Sequence, residues 1–369
     1  MTIDAIELRQ IRLPLVSPFE TSGWKEEEKT CIIVSLEESS DIGYGECAVS
    51  PAPSYGPETL TTAWHIMEDY ILPSVLGKNF DTPQELLDGV SHIRGHNMTK
   101  AAFEMALWDL LAKKRKISLS RTLGGTRTRI ESGVSVGVQK NINQLVEVVG
   151  EYVKQGYLRV KLKVKPGWDI KQVGAVRDKF PTLRLMVDAN GAYSPENKDT
   201  LVRLDQFGLM MIEQPFAWDD MVEHALLQSK IKTPVCLDES VSSLNDMKTA
   251  LALQSCRVLN IKPARVGGLT VSKNIHDLCL SRKMPVWCGG LLETGIGRAH
   301  NVALASLAGF MLPGDVSASN RYFKQDIVNP EFALKKDGTI DVPQGNGIGV
   351  EVLTDRLEEN TTVKKRFRA

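Results

Sequence analysis

Charged residues stand at the ends of apolar runs in the middle of the chain, at nearly constant intervals. The runs LRLMVDAN, GLMMIEQP, TPVCLDES and RVLNIKPA carry, in that order, Asp188, Glu213, Asp238 and Lys262. Counted from Lys163 in the stretch GYLRVKLKVKPGWD, successive members of this series are 25, 25, 25 and 24 residues apart. The spacing indicates equivalent positions in a repeating structure, three with a carboxylate and two with an ammonium group.

Three carboxylates at neighbouring positions predict an oxygen-only site for a hard divalent cation, Mg²⁺ or Mn²⁺. A zinc site is disfavoured because no histidine or cysteine stands at these positions. The alternative is three separate salt bridges between the carboxylates and nearby lysines or arginines.

The lysines of the series suggest acid–base chemistry beside that cation. A lysine is a useful base only when its pKa is lowered, and we expect Lys161 and the cation to lower that of Lys163. Arg265, three residues after Lys262, is expected to act on Lys262 in the same way. A cation on a substrate carboxylate acidifies the adjacent C–H bond, because it stabilises the enediolate formed on proton removal.

The stretch around Lys163 raises the question of which of its faces is buried. Three lysines alternate there with three apolar residues, so the two sets face opposite sides of a strand. By itself this pattern is typical of an exposed lysine face. The neighbouring runs instead place their charged ends on an inward face, which predicts that Lys161 and Lys163 point inward, toward carboxylates and a cation.

The elements that position these residues follow from the 25-residue interval. Each apolar run is followed by an amphipathic stretch such as DIKQVGAVRDKF or SLNDMKTALALQ, with Asp, Ser or Asn near its start. One strand, one helix and two short loops make a βα unit. The series extends to eight strand candidates, near residues 135, 163, 188, 213, 238, 262, 289 and 314, which is the count of a closed barrel. A solenoid is the alternative, but the units share no consensus sequence.

A barrel of this kind carries its active site at the carboxyl ends of the strands, where all five charged residues stand. Lys163 and Lys262 are four units apart and so come from opposite sides of the barrel. The flanks predict three segments: an α+β domain over 1–125, the barrel over 126–324 and a segment over 325–369 that returns to the first domain. The basic tail VKKRFRA is expected to fray.

The composition limits the possible partners. The chain has 369 residues, 42% of them hydrophobic, and its 45 basic and 45 acidic residues balance to zero net charge. This gives no support for a nucleic-acid or acidic-membrane partner, and no apolar run is long enough to span a membrane. The six cysteines show no metal-binding spacing, so we expect reduced core cysteines in a cytoplasmic protein.

The segments KLK, DAN, EQP, DES and NIKPARVGG together resemble the enolase superfamily, in its muconate-lactonising subgroup. The resemblance covers nearly the whole chain and is strong for the combined segments, although KLK alone is weak. It implies an α/β fold: a (β/α)7β modified TIM barrel with an N-terminal α+β capping domain completed by the C-terminal segment. It also implies a homo-oligomer and a small carboxylate substrate.

The resemblance implies roles residue by residue. Asp188, Glu213 and Asp238 match the metal ligands, Lys163 and Lys262 the two catalytic lysines, and Lys161 the group that holds the substrate carboxylate. Asn190 and Glu239 match polar neighbours of the metal, and the specificity loops correspond to 17–23 and 50–55. The expected substrate-binding residues are Lys161, Ser135, Asn190, Phe19, Tyr55, Arg265, Gly289 and Gly290, although the glycines fit a tight strand end equally well.

Within the subgroup, PVWCGGLLETGIGRAHNVALAS and LPGDVSASNRYFKQDI resemble enzymes of two related activities. One is dehydration of 2-succinyl-6-hydroxy-2,4-cyclohexadiene-1-carboxylate to o-succinylbenzoate in the menaquinone pathway, and the other is racemisation of N-succinylamino acids. Dipeptide epimerases carry Asp-x-Asp where this chain has Asp315-Val316-Ser317, which favours a substrate without a free ammonium group. Dipeptide epimerase, cycloisomerase, Schiff-base aldolase and non-catalytic metal binding are the alternatives.

Overall fold

The structure is a computed structural model, and it describes residues 1–20 and 25–369. The N-terminal part contains a four-stranded antiparallel sheet in the order β15-β1-β2-β3. Its strands are β1 (Ala5–Glu20), β2 (Lys25–Glu38), β3 (Asp41–Cys47) and β15 (Thr361–Arg368). Residues 31–36 of β2 are all buried, so both faces of the sheet are covered: Ile32, Val34 and Leu36 belong to one apolar cluster, and Cys31 and Ile33 belong to the cluster that includes the barrel strands.

Helices of the N-terminal part cover the face that carries Ile32, Val34 and Leu36. The helices of this part are α1 (Leu60–Ile66), a π-helical turn (Met67–Ile71), α2 (Leu72–Val75), α3 (Pro83–Gly89), α4 (Asn97–Lys114) and α5 (Leu119–Leu123). The long helix α4 lies directly on β3, where a Cβ at Gly45 would stand 2.0 Å from the carbonyl oxygen of Ala102. Glycine at this position therefore permits the close packing of helix on sheet.

The central part is a seven-stranded parallel sheet in the order β11-β10-β9-β8-β7-β6-β5. The strands are β5 (Gly133–Val136), β6 (Arg159–Lys163), β7 (Leu185–Asp188), β8 (Ile212–Glu213), β9 (Val235–Leu237), β10 (Val258–Ile261) and β11 (Val286–Cys288). The helices are α6 (Ile142–Gln155), α7 (Ile170–Lys179), α8 (Lys198–Leu204), α9 (Val222–Gln228), α10 (Leu244–Leu253), α11 (Pro263–Val266), α12 (Leu269–Ser281) and α13 (Gly295–Ala305). Short 3-10 turns occupy Pro195–Asn197, Asp205–Phe207 and Ser319–Arg321.

The eighth unit is an extended segment and not a regular strand, so the strand expected near residue 314 is wrong in that detail. Single parallel bridges join Phe310 to Val286 and Gly314 to Ser132. The segment therefore contacts both outer strands of the sheet, β11 and β5, and completes the (β/α)7β arrangement. The predicted fold class is confirmed, whereas the domain boundaries at 125 and 324 stay predictions.

The interior of the barrel confirms the predicted register. An apolar cluster within it consists of the inward-facing residues Met186, Met211, Cys236, Val258 and Trp287. Val160 and Leu162 belong instead to the cluster between the strands and the outer helices. Lys161 and Lys163, which alternate with them, therefore face inward.

The C-terminal segment returns to the N-terminal sheet through its last residues. It contains β12 (Val328–Asn329), which pairs with β14 (Glu351–Val352), and β13 (Thr339–Asp341), which pairs with β4 (Arg129–Glu131). After α14 (Thr354–Glu359), strand β15 pairs antiparallel with β1, with Phe367 opposite Ile6. The expectation that the basic tail frays is wrong, because its backbone extends the sheet.

Two further observations concern the chain as a whole. All six cysteines are buried and free, as expected. No helix within the described ranges is long and apolar enough to cross a lipid bilayer.

Candidate active site

A cavity lies at the carboxyl ends of the barrel strands, roofed by residues of the N-terminal part. It encloses about 780 Å³, including its open mouth, a size typical of small-molecule sites. The lysines Lys161, Lys163 and Lys262 lie on its barrel side. The other lining residues are Phe19, Glu26, Ala48, Ser50, Ala52, Tyr55, Gly56, Glu58, Met98, Ser135, Asn190, Gly290, Leu291, Leu292, Asp315 and Tyr322.

Lys163 is held at the end of β6 by two partners. Its Nζ donates to Oδ2 of Asp188 at 2.6 Å and to Oδ1 of Asn190 at 2.7 Å. Asn190 has a left-handed backbone conformation (φ 45°), and its amide also donates to Glu239 at 3.1 Å. The predicted neighbours of the metal site thus form one hydrogen-bonded chain with the predicted base.

Lys262 follows β10 on the other side of the cavity, with three strands between it and β6. Its Nζ donates to Oδ2 of Asp238 at 2.8 Å and to the Tyr55 hydroxyl at 3.1 Å, and it lies 4.3 Å from the centre of the Tyr55 ring. Tyr55 itself donates to Oδ1 of Asp238 at 2.8 Å, and Arg265 pairs with the same carboxylate. Asp238 is therefore surrounded by three donors.

The predicted metal ligands stand at the ends of three adjacent strands. Asp188 and Glu213 are direct partners in the β7–β8 register, and Asp238 follows β9 by one residue. All three side chains are buried. Lys161 donates to Glu213 at 2.9 Å and lies 3.1 Å from Asp188, so the carboxylates are engaged in ion pairs, as in the salt-bridge alternative.

The residues fit a divalent cation by donor type, since carboxylate oxygens stand at three adjacent strand ends. Across the described ranges, no three acidic, histidine or cysteine side chains are grouped closely enough to hold an ion as they stand. Oε2 of Glu239 and Oδ1 of Asn260 are buried acceptor oxygens that the described residues leave without a hydrogen-bond partner. A cation held by Asp188, Glu213 and Asp238 would compete with the ammonium and guanidinium groups that engage these carboxylates.

Electrostatics in the site follow from burial and like charges. Burial raises the pKa of Glu213, and the neighbouring Asp188 carboxylate adds to this, so the pKa lies well above its usual range despite Lys161. Burial opposes charging of Lys161, but Asp315, Glu213 and Asp188 outweigh it and raise its pKa. A cluster of carboxylates this close together attracts additional positive charge.

The pKa of Lys262 differs from the expectation. Burial lowers the pKa of Lys262, but the neighbouring groups, the Asp238 carboxylate foremost, outweigh burial, so the pKa lies above its usual range. The expectation that Lys262, with Arg265 beside it, has a lowered pKa is therefore wrong for this arrangement. Arg265 is directed to Asp238 and to backbone oxygens of Val241 and Asn260.

Most predicted substrate-binding residues line the cavity, and two do not. Phe19, Tyr55, Ser135, Asn190, Gly290 and Lys161 line it, whereas Arg265 and Gly289 lie outside. Gly289 packs behind Lys262, because a Cβ there would stand 2.7 Å from Cε of Lys262. Residues 21–23 of the predicted specificity loop 17–23 lie outside the described residues.

Two further residues of the site were not among the predicted site residues, although the segment Asp315-Val316-Ser317 was compared with the dipeptide epimerases. Asp315 pairs with Arg159 at 2.6 Å and with Lys161 at 2.7 Å. Asn260 donates to Glu213 at 2.6 Å. The inward alternation of β10 pointed to Asn260, two residues before Lys262, whereas the ion pairs of Asp315, which follows the eighth strand candidate, had no signal in the sequence.

Comparison with known proteins assigns the chain to a family. Residues 144–356 match the model of the enolase C-terminal domain-like family, and residues 5–124 match that of the mandelate racemase / muconate lactonizing enzyme N-terminal domain.

Curated relatives match over their full length. An o-succinylbenzoate synthase of Geobacillus kaustophilus is 46% identical over 368 residues, covering 100% of this chain and 98% of the relative. An N-succinylamino acid racemase of Thermus thermophilus is 44% identical, covering 100% of both chains. The crystal structure of an enolase superfamily member from Listeria innocua superimposes with a TM-score of 0.96 at 44% identity, again over 100% of both chains. The chain therefore belongs to the enolase superfamily, with the N-terminal domain of the mandelate racemase / muconate lactonizing enzyme type.

Proposed function

We propose that the chain removes the proton next to a substrate carboxylate, acting as an o-succinylbenzoate synthase and as an N-succinylamino acid racemase. The observation that carries the proposal is the pair Lys163 and Lys262, which face one cavity from β6 and β10 above three buried carboxylates. Full-length relatives named for each activity support it.

Asp188, Glu213 and Asp238 would hold a divalent cation, Mg²⁺ by preference with Mn²⁺ accepted. When bound, the cation supplies electrostatic stabilisation of the negative charge that develops on the substrate carboxylate. Lys161 shares that role, since its ammonium group lies among the same carboxylates and lines the cavity. Together they lower the free energy of the enediolate.

Lys163 takes the proton from the carbon next to the carboxylate. Asn190 fixes the position of its Nζ, at 2.7 Å, while Asp188 balances its charge. In the dehydration, Lys163 then returns the proton to the departing hydroxide, and the ring becomes aromatic.

Lys262 lies across the cavity from Lys163 and has a different role in each of the two reactions. In the dehydration it stays charged and faces the ring, where a cation–π contact stabilises the intermediate. In the racemisation it delivers a proton to the second face of the same carbon. Both reactions share the difficult step, proton abstraction beside a carboxylate, so one site serves both.

The contacts of Asp315 speak against a dipeptide epimerase. Its carboxylate is occupied by Arg159 and Lys161, and the hydroxyl of Ser317 donates to the carbonyl oxygen of Gly133. Neither group is free to bind a substrate ammonium.

The homo-oligomer and the cytoplasmic location remain proposals.

Dehydration of the cyclohexadiene substrate, followed by the absorbance of the aromatic product, tests the function. We expect activity with Mg²⁺, loss on chelation, recovery with Mg²⁺ or Mn²⁺, and loss in both Lys163→Ala and Lys262→Ala. Unchanged turnover in Lys163→Ala would contradict the assignment of the base. Trapping of the substrate by borohydride would instead support a Schiff base.

A further inference from the structure

The cavity has a basic floor and an acidic feature on its roof. Lys161, Lys163 and Lys262 lie at the strand ends, whereas Glu26 comes from β2 of the N-terminal sheet. Glu26 stands opposite Phe19 in the β1–β2 register, and both side chains line the cavity. For a substrate whose carboxylate lies at the floor, this roof forms the facing wall of the cavity.

Glu26 differs from the other two carboxylates that line the cavity. Both oxygens of Glu58 are engaged, by the backbone N–H groups of Met98 and Thr99 and by the Thr99 hydroxyl. Asp315 is engaged by Arg159 and Lys161. Glu26 accepts one hydrogen bond, from the Ser50 hydroxyl at 2.9 Å, and forms no direct ion pair with a described residue, although its charge acts at longer range on the buried Lys29.

The neighbours of Glu26 along β2 show that pairing is the rule on this strand. Glu27 pairs with Lys25 at 2.6 Å, and Glu28 pairs with Arg12 at 3.2 Å. Glu27 does not line the cavity, and its side chain is 70% exposed. The half-buried Glu26 is thus the cavity carboxylate available to a cationic group.

We propose that Glu26 is a specificity-determining residue that selects N-acylamino acids whose side chain ends in an ammonium or guanidinium group. The inference rests on the proposed racemase function and names its substrate class. A positive end near Glu26 replaces water with an opposite charge, and the partial burial of Glu26 weakens solvent screening of that pair.

The test compares N-succinyl-L-lysine with N-succinyl-L-norleucine, which differ by the terminal ammonium group. We expect kcat/KM for exchange of the α-proton in D₂O with Mg²⁺ to favour the lysine substrate by about three- to tenfold. Glu26→Gln, which keeps the shape and removes the charge, should bring the ratio close to one. Glu27→Gln is the matched control and should leave the ratio as in the wild type.

Two results would overturn the inference in distinguishable ways. Exchange of both substrates with a ratio that Glu26→Gln does not change would contradict the role of Glu26 and leave the racemase function intact. No exchange of either substrate by the wild type would overturn the racemase function itself, and with it this inference.

Discussion

Gly289 illustrates how single residues leave room for catalytic groups. A Cβ at this position would stand 2.3 Å from Oδ1 of Asn260 and 2.7 Å from Cε of Lys262. The amide of Asn260 in turn donates to Glu213. Any side chain here must displace both Lys262 and Asn260, which donates to the proposed metal ligand Glu213.

We expect Gly289→Ala to lower kcat by about 10- to 100-fold, because a displaced Lys262 no longer meets the reacting carbon. Steady-state kinetics with a racemase substrate checks this. Gly89→Ala is the control, since an added Cβ there meets no atom within 4 Å. Equal activity of the two variants would show that the Lys262 position tolerates displacement.

Individual site residues were predictable to different degrees. The inward face of β6 followed from the shared register of several runs, and the structure places Lys161 and Lys163 there. The ion pairs of Asp315 depend on Arg159 and Lys161, more than 150 residues away in the chain, and no local pattern encodes such a contact. That Glu26 forms no direct ion pair with a described residue depends equally on which residues fold against it.

At the scale of elements, α4 joins the N-terminal part to the barrel through Glu104. This buried carboxylate accepts from the backbone N–H groups of Leu269 and Thr270, at the start of α12, and from the Trp108 ring. Burial raises the pKa of Glu104 to about 7, against these hydrogen bonds. The folded state therefore binds the Glu104 proton more tightly than the unfolded chain.

The sign of the resulting pH dependence follows from that raised pKa. The stability contributed by Glu104 is fully present below pH 4.5, the ordinary value for glutamate, and is lost as the pH rises through about 7. Between pH 4.5 and 8 we expect the free energy of unfolding of the wild type to fall by up to about 3 kcal/mol more than that of Glu104→Gln. Urea unfolding of both proteins across this pH range checks the prediction. Parallel profiles of the free energy of unfolding against pH would contradict it.

Elements were predictable where the hydrophobic period was regular. Seven strands of the barrel lie where apolar runs recur. The eighth segment, GFMLPGD, forms only single bridges, and Pro313 within it has no backbone N–H to donate. Strand β15 carries mostly exposed polar residues and is set by its pairing with β1, which its own sequence does not show.

At the scale of the whole molecule, Lys29 connects strand β2 of the N-terminal sheet to the rim of the cavity, the segment that contains Leu291 and Leu292. Its side chain is buried, and Nζ donates to the carbonyl oxygens of Leu291 at 2.9 Å and Ala48 at 3.5 Å. Leu291 and Leu292 line the cavity, and Leu292 has a left-handed backbone (φ 55°). The shape of the cavity therefore depends on how the two parts of the protein meet.

We expect Lys29→Met to destabilise the protein by about 3 kcal/mol, because it leaves buried acceptors and the carboxylate of Glu46 without their cation. It should also raise KM more than it lowers kcat, since it moves the rim and not the lysines of the floor. Urea unfolding and steady-state kinetics measure both effects. Lys25→Met, on the same strand with a half-exposed side chain, is the control, and matching behaviour of the two variants would contradict the role of Lys29.

The central claim is that Lys163 and Lys262 act on one acidic carbon from opposite sides. The most direct measurement follows exchange of the α-proton of an N-succinyl-L-amino acid and of its D-enantiomer in D₂O by NMR, with Mg²⁺, in the wild type, Lys163→Ala and Lys262→Ala. The account predicts exchange of both enantiomers by the wild type, and in each variant loss of the exchange of the enantiomer whose proton faces the missing lysine. Exchange of both enantiomers at wild-type rates in either variant would contradict it.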